Sequence, residues 1–485
     1  MQSGFTACPG LFYATPARDG ILSRIRIPGG IINSEQCRVI ADISKQCGGG
    51  YVDVTNRANL QIREIHNTID GKILRRLQEI GLGSSNTNVD HIRNIMSSPT
   101  AGIDSQELID TRPFVEAWDK HIAAHSHLSE LSAKFSVCFD GGGTVQVCDR
   151  PNDIGFVAVM VDGSLYFCLY LSIGAKGELP RNMGILLKPE ECLPVLGALA
   201  NVYLNHIDTI SSRKPRLREV LNDLGEKNYL QEVERCLPFS LRYVDHNECP
   251  LQIPANKYKH IGIHPQRQSG LSYIGVVLPL GRLEASQIQR LAELAEDYGS
   301  GTIRLTPWQN LLISDIPNQQ VNDVLNEIEK LGLHWSTANI RSALVACSGK
   351  TGCASSQTDT KRHALALAEY LDRVNLTQPI NIYFSGCSKS CAQHTQSDIA
   401  LLGININKGM TTVEAYHVYV CGDSEQKFGR EVYQSITPAE LPALIEQMLL
   451  VYQTQRSEPH ESFEEFVNRH TISQLKQLFL LNQQV

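Results

Sequence analysis

Four cysteines are the residues of this chain best placed by type and spacing to do chemistry. Cys347 and Cys353 stand in ACSGKTGC, Cys387 and Cys391 in SGCSKSC, two close pairs parted by a long insertion. Two such pairs suit a metal centre whose ligands come from two loops. The spacings match no zinc ribbon, which favours CxxC pairs. Four thiolates suit a cubane iron–sulfur cluster, because each of its irons takes one soft anionic ligand. Small residues (Ser348, Gly349, Gly352, Gly386, Ser388) surround the thiols and leave backbone N–H groups free to face cluster sulfides. The competing account is four ordinary buried thiols; the Gly/Ser-rich turn around each pair weighs against it.

A second set is cationic: Arg57 in VTNRANLQI, Arg93 in VDHIRNIM and Lys134 in LSAKFSVCFDGGG. If the strand beginning at Tyr51 runs on, Thr55, Arg57, Asn59 and Gln61 share one wholly polar face. Such a face suits a carboxylate-bearing or anionic ligand, although for any single Arg or Lys a solvated surface is the commoner state. His394 is open as a neighbour of the metal or a mere cap, Asp140 as a turn residue, and Trp308 as core or as an aromatic wall. Neither Gly48–Gly50 nor Gly141–Gly143 fits a nucleotide-binding motif.

Stepping from residues to elements, the chain reads as one design used twice. Pro28, Gly30, Gln36, Gly50, Thr55, Asn59, Leu60 and Ile65 recur in register, with no gap, as Pro279, Gly281, Gln287, Gly301, Thr306, Asn310, Leu311 and Ile316. Further on, Phe139, Gly141 and Asp153 recur as Phe384, Gly386 and Asp398. Each copy predicts a strand, a Pro-Gly turn, an amphipathic helix (34–46 and 285–297, the first opened by an Asn33/Gln36 capping box) and a second strand. Glycines at 48–50 and 299–301 are expected to end the helices in left-handed backbone. Strands follow at 155–161, 165–171, 399–405 and 416–421, and capping boxes at Ser462/Glu465 and Thr471/Gln474 open two short helices of the tail. The thiols break the symmetry: Cys347, Cys353, Cys387 and Cys391 fall on Pro99, Ser105, Gly142 and Gln146 of the first copy. Only the second copy can hold a cluster.

Composition bounds the rest. The chain has 485 residues, 42% of them apolar and 20% charged, with a net charge of −7. That describes an ordinary globular protein with room for several cores and no global basic field to attract nucleic acid. No apolar run approaches the roughly 18 residues of a membrane span. Fourteen cysteines without a visible signal peptide imply thiols kept reduced in a cytoplasmic location.

These motifs resemble the nitrite/sulfite reductase superfamily, whose members carry a 4Fe–4S cluster beside a tetrapyrrole. VDVTNRANLQI, AGIDSQELIDTRPF and YGSGTIRLTPWQNLLI are similar to ferredoxin–nitrite reductases. The resemblance implies an α+β fold with ferredoxin-like (parachute-type) half-domains and two reductase-type domains related by a pseudo-two-fold. Its boundaries are expected at 1–85, 86–245, 246–335 and 336–485, the last carrying the cluster on the four cysteines. Arg57, Arg93 and Lys134 correspond to residues that contact tetrapyrrole or anion. Three local features resemble another branch, precorrin-3B synthase: the opening ACPGLFYATPARDGILSRIRIPGG, the stretch KFSVCFDGGG, and GCSKSCA where reductases place Pro-Asn after the third cysteine. Ser136 also stands where reductases carry Lys or Asn. The expectation drawn from these is an O2-dependent monooxygenase that hydroxylates precorrin-3A and closes a γ-lactone, with a mononuclear non-haem iron besides the cluster and an NADH-linked reductase or ferredoxin as electron donor. The rival expectation is a siroheme-dependent ferredoxin–nitrite or sulfite reductase. A non-catalytic tetrapyrrole carrier is the third.

Overall fold

A computed structural model describes residues 10–13, 15–67, 69–175, 178–208, 213–245, 258–374, 376–422 and 426–481. Cys8, Cys249 and residues 246–257 of the segment joining the two copies lie outside them. The chain divides into two compact units, one of Met1–Pro16, Gly20–Val276 and Leu283–Gly332, the other of Ala17–Asp19, Val277–Arg282 and Leu333–Val485.

The first unit opens with β1 (Thr15–Ala17), β2 (Gly20–Ile25), β3 (Ile31–Asn33), α1 (Ser34–Cys47), β4 (Tyr51–Val54), β5 (Leu60–Ile65) and α2 (Gly71–Glu79). A reductase-type domain follows: β6 (Ile95–Ser97), α3 (Arg112–Ala124), β7 (Val137–Asp140), β8 (Ile154–Val161), β9 (Ser164–Leu171), β10 (Arg181–Leu187), α4 (Cys192–Asn205), α5 (Leu217–Leu224), α6 (Glu226–Arg235) and β11 (Arg242–Tyr243). The second ferredoxin-like half is β12 (Gly262–Pro265), β13 (Leu271–Val276), β14 (Arg282–Glu284), α7 (Ala285–Tyr298), β15 (Thr302–Leu305), β16 (Leu311–Pro317) and α8 (Val321–Lys330).

The two ferredoxin-like halves exchange an edge strand. The first sheet runs β1-β2-β5-β4-β14, and the second runs β12-β13-β16-β15-β3. β3 lies antiparallel to β15, with Ile32 opposite Ile303. Local chemistry repeats with the duplication. Asn33 and Gln36 close the α1 capping box, and Gln36 then donates to Ile80 O at 2.7 Å. Gln287, its counterpart on α7, closes a box with Glu284 and donates to Leu331 O at 2.9 Å. Ser34 N donates to Gly301 O and, reciprocally, Ala285 N to Gly50 O, both at 2.9 Å.

Two local expectations need correction. The polar face from Thr55 to Gln61 is not one strand: β4 and β5 are an antiparallel hairpin, Val54 opposite Leu60, and Thr55–Asn59 is its turn. The polar side chains serve the turn. Thr55 Oγ1 accepts from Asn59 N at 3.1 Å, Asn59 Oδ1 accepts from Ile27 N at 2.8 Å, and Ala58 takes a left-handed φ of 53°. Thr306–Asn310 forms the same turn, with Gln309 at φ 62°. Of the helix-ending glycines, Gly50 and Gly301 are left-handed (φ 79° and 72°), whereas Gly48 and Gly299 are not (φ −118° and −128°). Gly48 is required for close approach, since a Cβ there would lie 2.7 Å from Arg63 O.

The second unit is β17 (Leu344–Ala346), a single turn α9 (Gly349–Gly352), α10 (Thr360–Tyr370), β18 (Ile382–Ser385), β19 (Ile399–Lys408), β20 (Thr411–Val420), β21 (Arg430–Ile436), α11 (Leu441–Gln455), α12 (Phe463–Asn468) and α13 (Ile472–Leu481). Its sheet runs β17-β18-β19-β20-β21; β17, β18 and β19 are parallel and β19, β20 and β21 antiparallel. The first unit repeats the pattern in β6-β7-β8-β9-β10, with β11 added at the edge. One face of the second sheet packs Phe384, Leu401, Tyr416 and Val418 against α10, α11 and the capped tail helices, whose Phe463, Phe466 and Phe479 are buried. Burial of that apolar surface is what holds the layers together. Among the described residues no helix is long and apolar enough to cross a membrane.

Candidate metal centre

Cys347 follows β17 directly and Cys387 follows β18 by two residues. Because β17 and β18 are adjacent and parallel, their C-terminal ends open on the same edge of the sheet. That is where open α/β sheets bind ligands. Cys347 N extends the ladder by donating to Phe384 O at 3.1 Å. Its Sγ accepts from Gly386 N at 3.3 Å, a backbone amide aimed at a thiol as the small residues predict. Thr360, at the start of α10, donates from Oγ1 to Cys347 O at 2.7 Å.

The two thiol loops are laced together. Gln357 N donates to Gly386 O at 2.7 Å, and Lys389 Nζ to Ser355 Oγ at 2.8 Å. Ser385 Oγ holds Cys387 O at 2.8 Å. Cys353 N donates to Gly349 O at 2.9 Å across α9, and Glu414 of β20 holds the same loop through Lys350 Nζ (3.0 Å) and Asp359 N (2.9 Å). Gly386 lets the loops approach closely: a Cβ there would lie 1.7 Å from Ser356 Oγ and 2.8 Å from its Cβ.

Burial raises the Cys391 thiol pKa, and so do Cys387, Cys347 and Cys353, while Lys389 lowers it. Cys391 as a residue is partly open to solvent, and after burial the three neighbouring thiols add to the rise. One sulfur that feels all the others is the electrostatic mark of a site that calls for a cation. Among the described residues no three Cys, His, Asp or Glu side chains converge on a single ion. Four thiolates on two facing loops are the donor set a cubane takes, one at each iron. His394 is exposed.

In the first copy, buried carboxylates tie the matching loops. Asp104 accepts from Thr144 N at 2.7 Å, Thr144 Oγ1 at 3.1 Å and Gln106 N at 2.9 Å. Asp140 accepts from Val147 N at 2.7 Å, Cys148 N at 3.0 Å and Gly142 N at 3.0 Å. Sequence reading left Asp140 as a turn residue and missed Asp104; the only signal was an Asp beside glycines on the pseudo-equivalent loop.

The cationic residues all belong to the first unit. Arg57, half-buried at the tip of the β4–β5 hairpin, donates to Asn152 Oδ1 and Pro151 O, both at 2.8 Å. Arg93 is buried, bound by Asp119 at 2.7 and 2.9 Å and by Asp90 at 3.4 Å. It lines a cavity of about 300 Å³ with Arg26, Arg112, Val115 and Asp119. Lys134 is exposed on the loop before β7. Ser136 is buried and donates to Asp153 Oδ2 at 3.0 Å. Trp308 resolves as both core and wall: it packs on Met96, Cys138 and Val147, with Arg150 over its ring at 5.1 Å and His260 stacked at 4.7 Å. Arg150 was not singled out from sequence.

Known proteins match this arrangement along most of the chain. The description "Nitrite/Sulfite reductase ferredoxin-like half domain" matches residues 15–80 and 264–331, and "Nitrite and sulphite reductase 4Fe-4S domain" matches 88–241 and 336–484. A ferredoxin–nitrite reductase of Leptolyngbya laminosa is 32% identical over 91% of this chain and 88% of its own length. The chloroplastic ferredoxin–nitrite reductase of Spinacia oleracea is 30% identical over 89% of this chain and 75% of its own length. The solved structure of the Mycobacterium tuberculosis NirA protein superposes with a TM-score of 0.79 at 26% identity, covering 94% of this chain and 84% of that one. Relatives named ferredoxin–nitrite reductase overturn the precorrin-3B synthase expectation. The oxygenase step, precorrin-3A and the mononuclear iron that came with it lose their support. The chain is an oxidoreductase and belongs to the nitrite/sulfite reductase family.

Proposed function

We propose that the chain is a siroheme-dependent, ferredoxin-linked nitrite reductase. The observation that carries this reading is the pair of laced cysteine loops at the C-terminal ends of β17 and β18, in a chain whose relatives bear that name. Cys347, Cys353, Cys387 and Cys391 would hold a 4Fe–4S cluster, and Gly386 N would keep one thiolate's charge on sulfur through its hydrogen bond. The cluster and siroheme, when bound, supply single-electron transfer and an iron that can bind a small oxyanion. The chain's own residues provide the electrostatics. Arg57 and Lys134 would supply positive charge for tetrapyrrole carboxylates or for nitrite; for half-buried Arg57 a charge-assisted contact would contribute about 1.5–3 kcal/mol. Arg93 is already compensated by Asp119 and Asp90, so its part would be placement rather than net charge. On the same reading the chain divides at residues 85, 245 and 335.

The test is the purified protein itself. We expect siroheme absorption bands, iron and acid-labile sulfide in cluster proportion, and nitrite consumption when reduced ferredoxin is supplied. Cys387→Ser should abolish the cluster absorbance while the protein stays soluble. A colourless protein, or one that turns over sulfite faster than nitrite, would sink this reading.

A further inference from the structure

The Cys387–Cys391 loop is held by a residue that lies outside both cysteine motifs. Lys427, in the segment leading into β21, donates from Nζ to the carbonyls of Ser388 at 3.1 Å and Lys389 at 2.7 Å. Both carbonyls belong to the short stretch between the two cysteines. That stretch is not at rest by itself: Ser390 holds a left-handed φ of 55°, a conformation that residues other than glycine rarely adopt. Its N–H reaches Cys387 O at only 3.4 Å, while its Oγ donates to Gln393 O at 2.6 Å. The peptide whose carbonyl Lys427 takes from Lys389 is the one whose N–H, on Ser390, points back at Cys387. Lys427 therefore fixes a peptide plane inside the ligand loop. Its ammonium also stands over the Phe428 ring at 5.8 Å, which limits where it can swing.

We infer that Lys427 is a positioning residue of the metal centre, clamping the Cys387–Cys391 loop and raising the reduction potential of the cluster held there. This rests on the cluster reading above. Potentials of iron–sulfur clusters respond to hydrogen bonding, net charge and solvent around the sulfurs. Reduction adds negative charge, so a cation fixed on the ligand loop favours the reduced state. Lys427 is exposed, and water screens its charge. The two carbonyl contacts, which any loosening of the loop would break, are the stronger part of the effect. An ammonium is suited to the task, being a compact centre with three donors.

The experiment compares holoenzyme of wild type, Lys427→Met and Lys427→Arg, measuring iron and acid-labile sulfide and then titrating the cluster by electron paramagnetic resonance. We expect Lys427→Met to retain its iron with a potential shifted downward beyond the scatter of replicate titrations, and Lys427→Arg to return most of the shift. Iron loss in the Met variant that Arg restores would support the clamp equally. A Lys427→Met protein with full iron and an unchanged potential overturns the inference. A wild type lacking iron and sulfide sinks the underlying cluster reading instead, and is seen before any variant is made.

Discussion

Glu107 is a carboxylate with almost no water around it, its side chain 2% exposed although Arg267 Nη1 lies 3.1 Å away. Burial pushes its pKa up to about 7, against the pull of the Gly102 amide and Arg267, with Asp110 and Asp104 adding to the rise. A carboxyl whose folded pKa exceeds its unfolded value is favoured protonated in the native state. Its contribution to stability is therefore present at low pH and is lost as pH rises from about 4.5 to about 7. We expect the stability of wild type, measured by urea unfolding against Glu107→Gln, to fall by about 1–2 kcal/mol between pH 5.5 and 8. A relative gain over that interval would mean that Arg267 and the Gly102 amide outweigh burial. Sequence could list such a residue but not weigh it, because the sign depends on how much water the fold removes. Arg93 teaches the same lesson: its motif was legible, its burial between Asp119 and Asp90 was not.

At the level of elements, the cysteine loops depend on two parallel strands ending together and on one glycine. Gly386→Ala would drive a methyl to within 1.7 Å of Ser356 Oγ and 2.8 Å of its Cβ, so the Ser356 and Gly386 loops would have to shift against each other, straining the Gly386 N–Cys347 Sγ contact. We expect iron and sulfide content of this variant to drop severely while far-UV circular dichroism, which reports the sheet and helices, stays close to wild type. Helices α1 and α7, set by local caps and periodicity, were legible almost to the residue: 34–46 is Ser34–Cys47 and 285–297 is Ala285–Tyr298. The polar run Thr55–Gln61 misled for a physical reason. Polar alternation looks alike in a solvated strand and in a turn whose side chains bond its own amides. The synthase expectation erred similarly, giving short local likenesses in KFSVCFDGGG and GCSKSCA more weight than similarity along nearly the whole chain.

Across the whole molecule the exchange of β3 and β14 makes each ferredoxin-like half complete only with a strand from the other. Ile32 and Leu283 are pseudo-equivalent and both buried, at 4% and 3% exposure. Ile32→Ala should cost about 2–5 kcal/mol by deleting buried methyl groups, and both halves should lose protection together in hydrogen exchange. Independent loss of one half would show that the shared strands do not couple them. The sequence by itself determined that the chain is a duplication and where α1, α7, α12 and α13 start, and it singled out the four thiols proposed as iron ligands, because thiol chemistry, repeated identities and caps are all written locally. Only the tertiary structure decided that Cys347 and Cys387 open on one edge, that Asp104 and Asp140 tie the matching loops of the first copy, and that the halves trade strands. Those are matters of sheet order and burial, which follow from summed packing over the whole chain and leave no mark in any short stretch of it.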